Sequence, residues 1–237
     1  MNRYTGRLRR FLDSGYTRVT NRLIFLSIVF FIGLNLLRRM GLDLTGLFRF
    51  STGNFFLRPW TLLTYPLVSY DWNILGFVFS LLWLWFIGGS LERSWGEQTY
   101  ALFLALATVV TGLAFALATL LTRQIAQLVG FWYILTGVTW AWAKLYPDRE
   151  LLFWGIIPVR AEWLAWIQAG VTFLENLPNL FFALAAVSSI AVVYLFTGRG
   201  PFSRGFRYWA WTHNISLQNW WQGVRDRRRK RRLKVVK

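Results

Sequence analysis

Residues Gly130–Asp148 read GFWYILTGVTWAWAKLYPD, and the first charged side chain in that stretch is Lys144. The apolar run that contains it, Ile125–Lys144, has the length of about 20 residues that a helix needs to cross a bilayer. Gly137 and Ala141 stand four residues apart on one helix face, where small side chains let backbones approach closely. Pro147 ends the helix. Lys144 sits at that end near Asp148 and Glu150, which suits a surface pair or a snorkelling side chain.

Five further apolar runs flank this one: Leu23–Leu37, Asn73–Leu91, Gln98–Leu121, an interrupted run from Leu151 to Leu174, and Leu177–Phe196. Apolar residues make up 55% of the 237, which is too many for an ordinary soluble domain. The alternation of a membrane β-barrel is absent, and no short apolar run leads to a cleavable small-residue site, as a removable signal peptide would. The fold class is all-α, a polytopic membrane protein with six transmembrane helices.

Small residues mark contact faces at Ala101, Ala105, Gly112 and Ala116 in the third run, and at Ala185 and Ser189 in the sixth. Short connections at Ser90–Gly96 and Thr122–Gln124 make the second, third and fourth helices antiparallel neighbours. Met40–Trp72 is too interrupted to span and too aromatic to sit wholly in water, so it suits a half-embedded interfacial segment. A fifth helix beginning at Leu151 would hold Arg160 and Glu162 near mid-bilayer, at about 2.5–3.5 kcal/mol each. Pro158 would also break it. Leu151–Pro158 is therefore expected as a separate apolar piece, with a short helix starting near Arg160.

Charge divides the chain into a basic lead-in, residues 1–22, a membrane domain, 23–197, and a basic tail, 198–237. Net charge is +17, from 27 Lys and Arg against 10 Asp and Glu. Arg3, Arg7, Arg9, Arg10, Arg18 and Arg22 precede the first span, and twelve basic residues follow the last. Such charge keeps both termini cytoplasmic, and outweighs Arg38, Arg39, Arg49 and Arg58 in the first loop. The cluster Arg225, Arg227, Arg228, Arg229, Lys230, Arg231 and Arg232 is expected to rest on anionic lipid or bind a cytoplasmic partner, and not nucleic acid. Each such side chain contributes about 1 kcal/mol near an anionic surface. Phe202–Trp221, with Trp209, Trp211, Trp220 and Trp221, reads as an interfacial segment.

Chemistry-bearing residues are scarce. Cysteine is absent, which excludes disulfides, thiol nucleophiles and thiolate metal sites. One histidine, His213, leaves little from which to build a metal centre, and no cofactor is expected. Glu92, Arg93 and Glu97 resemble a loop-fixing cluster more than an acid/base pair.

The stretch from Gly130 resembles the fourth membrane helix of rhomboid intramembrane serine proteases, whose pattern runs roughly GxSGxxxGxxGAxxxxxP; Gly130, Gly137, Ala141 and Pro147 fall in step. Trp60–Gly96 resembles that family's first loop and second helix. Trp60, Leu62, Leu63, Thr64 and Leu75 match counted from the start; Gly88, Leu91, Glu92 and Gly96 match counted from the end, two residues out of register. The resemblance covers about residues 56–196 and implies a six-helix rhomboid-like bundle. It puts Trp132 in the nucleophilic serine slot, Tyr133 in the next glycine slot, and a residue near Leu184 in the slot of the catalytic histidine. The oxyanion-holding slots fall on Ile74 and Val78, or on Gly76 and Ser80 in the second register.

Rhomboid chemistry needs a serine deprotonated by an imidazole and donors aimed at the oxyanion. None of these slots holds the required residue, so the resemblance implies an inactive pseudoprotease, with Trp132, Tyr133 and Trp140 filling the old cavity. It further implies binding of transmembrane helices of client or partner proteins between the second and fifth helices, with Trp83, Trp85, Trp163 and Trp166 as contacts. A structural subunit of a larger membrane complex is the alternative, and a serine endopeptidase with relocated chemistry comes third. A bacterial inner membrane is the default location, since a six-span core carries no visible organelle signal.

Overall fold

Helices dominate because the apolar runs have no other way to satisfy their backbone polar groups out of water. The computed structural model describes residues 17–69, 74–147, 149–153 and 157–197. All belong to one compact unit, Met1–Thr197. The first sixteen residues, His213, the Trp-rich segment and the basic cluster Arg225–Lys237 lie outside the described residues, as does the expected neighbour of Lys144, Asp148.

The helices, in chain order, are α1 (Arg18–Arg39), α2 (Thr45–Phe48), α3 (Thr61–Thr64), α4 (Ile74–Trp83), α5 (Gly89–Trp95), α6 (Glu97–Thr122), α7 (Trp132–Leu145), α8 (Ala161–Glu175), α9 (Leu180–Ala186) and α10 (Ser189–Thr197). A π-turn, Leu84–Gly88, joins α4 to α5 in one continuous helix. Two short antiparallel pairs complete the framework: β1 (Phe50–Ser51) with β2 (Gln127–Leu128), and β3 (Glu150–Phe153) with β4 (Ile157–Arg160).

Among the described residues, four helical stretches are long and apolar enough to cross a membrane: Arg18–Arg39, Ile74–Trp95, Glu97–Thr122 and Leu180–Thr197. The six expected passes also count α7 and α8, whose 14 and 15 residues reach only about 21–23 Å at 1.5 Å per residue.

Several boundaries differ from the sequence reading. The expected loop Ser90–Gly96 is helical as far as Trp95, because Gly96 alone makes the turn at φ +84°. The fourth run becomes helix only at Trp132. Its front is drawn off by the first loop, where Phe50 pairs with Leu128 and Ser51 with Gln127, and where Thr52 Oγ1 accepts from the Ala126 amide at 2.9 Å. Leu151–Phe153 and Ile157–Pro158 of the expected apolar piece lie in antiparallel strands, with Pro158 opposite Leu152; a two-stranded ribbon has the free edge that proline needs. The expected short fifth helix does follow it, from Ala161. In α6 the expected contact residues Gly112 and Ala116 are buried, beside Phe103, Ala107, Thr111 and Ala118, whereas Ala101 is half-buried and Ala105 is exposed.

The core centres on α7. Ten consecutive residues, Ile134–Ala143, are buried, the pattern of a helix enclosed on all sides. α6, α8, α10 and the π-turn all pack against it. Gly137 explains how closely: a Cβ there would lie 2.9 Å from Ser189 Cβ and 3.0 Å from the Ser189 carbonyl oxygen on α10.

α1 is fastened differently. Only Thr20, Ser27 and Leu34 of it are buried, and its main anchor is Glu92 on α5. That carboxylate, 4% exposed, accepts from the Val19 amide at 2.8 Å, the Thr20 amide at 2.9 Å and the Thr20 hydroxyl at 2.7 Å. The positive end of a helix, with its unpaired amides, favours an anion at that place. Glu97 holds the next turn through Arg18 at 3.7 Å and Arg22 at 3.6 Å; being exposed, these pairs contribute little.

Glu92→Ala is expected to lower stability by about 3 kcal/mol, since it orphans three donors to a charged acceptor, and Glu92→Gln by less. Thermal unfolding in detergent, read with tryptic cleavage at Arg18 and Arg22, checks this. Unchanged melting and cleavage would mean that α1 is held by something else.

Candidate functional site

The slots that the rhomboid resemblance marks do not converge. Trp132 is the first residue of α7, at one end of the bundle, and is only half-buried. Its Nε1 donates to Glu175 Oε2 at 3.0 Å, at the last residue of α8. The expected plug is therefore not Trp132: Gly130, at φ +75°, turns the chain so that α7 starts too late to carry that residue inside.

Ile74, Val78 and Leu184 face outward, at 56%, 46% and 54% exposure. Gly76 and Ser80 are half-buried, and Ser80 Oγ donates back to the Gly76 carbonyl at 2.8 Å. Of the two registers for the second helix, the one counted from its end turns its residues further inward. The π-turn lies between the two halves of that motif, and a turn wider than α-helical pitch shifts the count of every residue beyond it.

Among the described residues, many of the interior hydroxyls and indoles make bonds between helices or back to the main chain. Trp83 Nε1 donates to Thr139 Oγ1 at 2.9 Å, tying the second span to α7. Trp142 Nε1 donates to Ser90 Oγ at 3.3 Å, and Tyr146 shares a short hydrogen bond with Ser94. Thr136 Oγ1 and Thr172 Oγ1 stand 3.1 Å apart between α7 and α8. Ser189 Oγ donates to the Tyr133 carbonyl at 2.8 Å, joining α10 to α7. The hydroxyls of Ser27, Ser80 and Ser189 are thus all turned onto main-chain carbonyls. Among the described residues no three of His, Cys, Asp or Glu come together.

Aromatic rings occupy the remaining space. Tyr133 packs on Phe115, ring centroids 5.0 Å apart. Trp140 is buried and meets Trp166 edge-on at 4.8 Å. These two residues fill slots where the family pattern has small ones.

Of the four tryptophans expected to meet a client helix, Trp85, Trp163 and Trp166 are exposed, at 58%, 64% and 58%. Trp83 is not on that surface, because its bond to Thr139 turns it into the bundle. Below Trp166 a cavity of about 310 Å³ opens between α7, α8 and α10, lined by Trp140, Lys144, Glu162, Ala165, Trp166 and Tyr194 among others. It joins apolar walls to one cation and one carboxylate.

Residues 22–197 match the family described as Eukaryotic integral membrane protein (DUF1751). Protein pdh1 of Schizosaccharomyces pombe is 31% identical over 103 residues, which cover 40% of this chain and 45% of that protein. Rhomboid-like protein 19 of Arabidopsis thaliana is 24% identical over 149 residues, 60% of this chain and 46% of the relative. The chain spans about half the length of the curated relatives it matches. Family and relatives are eukaryotic, so the bacterial inner membrane expected from the sequence has no support. With a match running from α1 to the end of α10, the chain belongs to this family of eukaryotic integral membrane proteins and is rhomboid-like.

Proposed function

We propose that this protein is a non-catalytic rhomboid-like membrane protein that binds transmembrane helices of client or partner proteins. The observation that carries the reading is the outer face of α8. Trp163 and Trp166 project from it beside the cavity over Trp140, large apolar rings with a polar handle of the kind enriched at interfaces. α8 is also too short to cross the hydrocarbon unaided, so a client helix lying against it would complete the thickness. Lys144 and Glu162 at the cavity can take the polar end of such a helix.

The absence of catalysis rests on composition and geometry together. The serine slot holds Trp132, the one histidine is His213 in the tail, and the hydroxyls of Ser27, Ser80 and Ser189 are spent on backbone carbonyls, while Ser188 Oγ is buried with neither a base nor any other hydrogen-bond partner among the described residues. Both termini face the cytoplasm in this reading, with Arg225–Lys237 resting on anionic lipid.

A photo-crosslinking residue placed at Trp163 or Trp166, in native membranes, is expected to capture membrane-spanning proteins that the same residue at Leu120 on α6, 69% exposed, does not. Equal capture at all three positions would remove the α8 face as the docking site. A fixed partner at constant ratio would make the protein a structural subunit instead. A serine-directed fluorophosphonate is expected to leave the protein unlabelled; labelling abolished by mutation of one membrane serine would establish a relocated nucleophile.

A further inference from the structure

The loop between α1 and α4 carries a second, unrelated feature at the opposite end of α7 from Lys144. A cavity of about 190 Å³ is lined by Gly46, Arg49, Ser51, Asn54, Arg58, Thr61 and Gln127. Its wall is rigid for a loop. Ser51 and Gln127 are register partners in the β1–β2 pair. Thr52 is bonded to Ala126 and to Thr119, and Arg58 Nη1 donates to the Gly46 carbonyl at 2.8 Å.

Two half-buried guanidiniums share this small polar space. No carboxylate among the described residues lies within 4.0 Å of either one. The acid that acts on Arg49 from further away, Asp43, is engaged by Thr45, whose hydroxyl and amide hold its carboxyl below the ordinary range. Arg58 uses one donor on Gly46, which leaves most of its fork unspent.

Around this polar pocket the loop is apolar and exposed: Phe56 at 81%, Leu57 at 78%, Leu63 at 57% and Trp60 at 50%. Trp60 Nε1 is fixed to the Leu47 carbonyl at 2.9 Å. Exposed aromatic and aliphatic side chains place such a segment at the membrane interface, at the depth of lipid headgroups.

We propose that the Arg49–Arg58 pocket binds a phosphate group, supplied by a phospholipid whose acyl chains lie against Phe56, Leu57 and Leu63. Arginine forks match phosphate oxygens two at a time, and the polar residues Asn54 and Ser51 line the same space. The volume suits a small headgroup and excludes an acyl chain. This site uses no residue of the α8 face or of the basic tail, and its failure leaves both readings untouched.

The test uses the full-length protein in detergent, with native mass spectrometry reading retained phosphatidic acid, and diacylglycerol as the lipid without phosphate. Arg49→Gln, which breaks no hydrogen bond of the loop, is expected to weaken phosphatidic acid retention about tenfold, the scale of one charge-assisted bond. Diacylglycerol retention should stay the same, and Arg49→Lys should recover part of the loss. Arg58→Gln is expected to act in the same direction, with its melting temperature followed because it also frees Gly46. Retention equal to wild type in both glutamine variants would overturn the proposal. Radiolabelled inorganic phosphate, assayed by equilibrium dialysis without lipid, separates the sources. Arg49-dependent phosphate binding without Arg49-dependent lipid retention would overturn the phospholipid as occupant.

Discussion

Everything else in this fold depends on the enclosure of α7. A helix of 14 residues with ten consecutive buried positions has no face left for lipid or water, so its neighbours must supply both close packing and partners for its polar atoms. They do so at separate heights, although Trp140 Nε1 stays without a partner among the described residues. Tyr133 and Gly137 meet Ser189 of α10, Thr136 meets Thr172 of α8, and Thr139 meets Trp83 of the second span. Inside a membrane the hydrophobic effect gives helices little reason to associate, so small residues and hydrogen bonds between helices must hold them.

The same enclosure ties the candidate site to the fold. Trp140 is held in the core and makes one wall of the cavity under Trp166. Tyr133 fills the α6 side against Phe115. What stays accessible is the outer rim: Trp163 and Trp166 on α8, Trp85 on the second span, and the aromatic first loop. The proposed recognition of other helices rests on this closed centre and aromatic rim.

Much of this was legible in the sequence because membrane helices follow from long apolar runs, and because the small residues Gly137, Ala141, Ala185 and Ser189 mark close contacts directly. Less visible was anything that depends on where a helix starts. Trp132 occupies the serine slot by counting, yet the pull of β1 on Gln127–Leu128 delays α7 until that residue sits at the rim. The π-turn at Leu84–Gly88 likewise separates two motif halves that fit the family pattern one at a time. Trp83 and Trp85 look alike in sequence; only the hydroxyl of Thr139 decides which turns inward. The pairing of Glu92 with the start of α1 bridges more than 70 positions, and no local signal announces it. The polar pocket of the first loop has the same cause, since Gln127 reaches it from the far end of α6.

The central claim is that α7 is clamped by its neighbours at van der Waals contact, and a comparison of glycines tests it most directly. Gly33 on α1 and Gly170 on α8 have open space where a Cβ would go, whereas Gly137 has Ser189 at 2.9–3.0 Å. Alanine gains about 1 kcal/mol over glycine within a helix, while an overpacked core loses about 1–3 kcal/mol. Thermal unfolding in detergent should therefore show Gly33→Ala and Gly170→Ala unchanged or stabilised and Gly137→Ala destabilised. A Gly137→Ala protein as stable as the other two would mean that α10 does not press on α7, and that the interior is open after all.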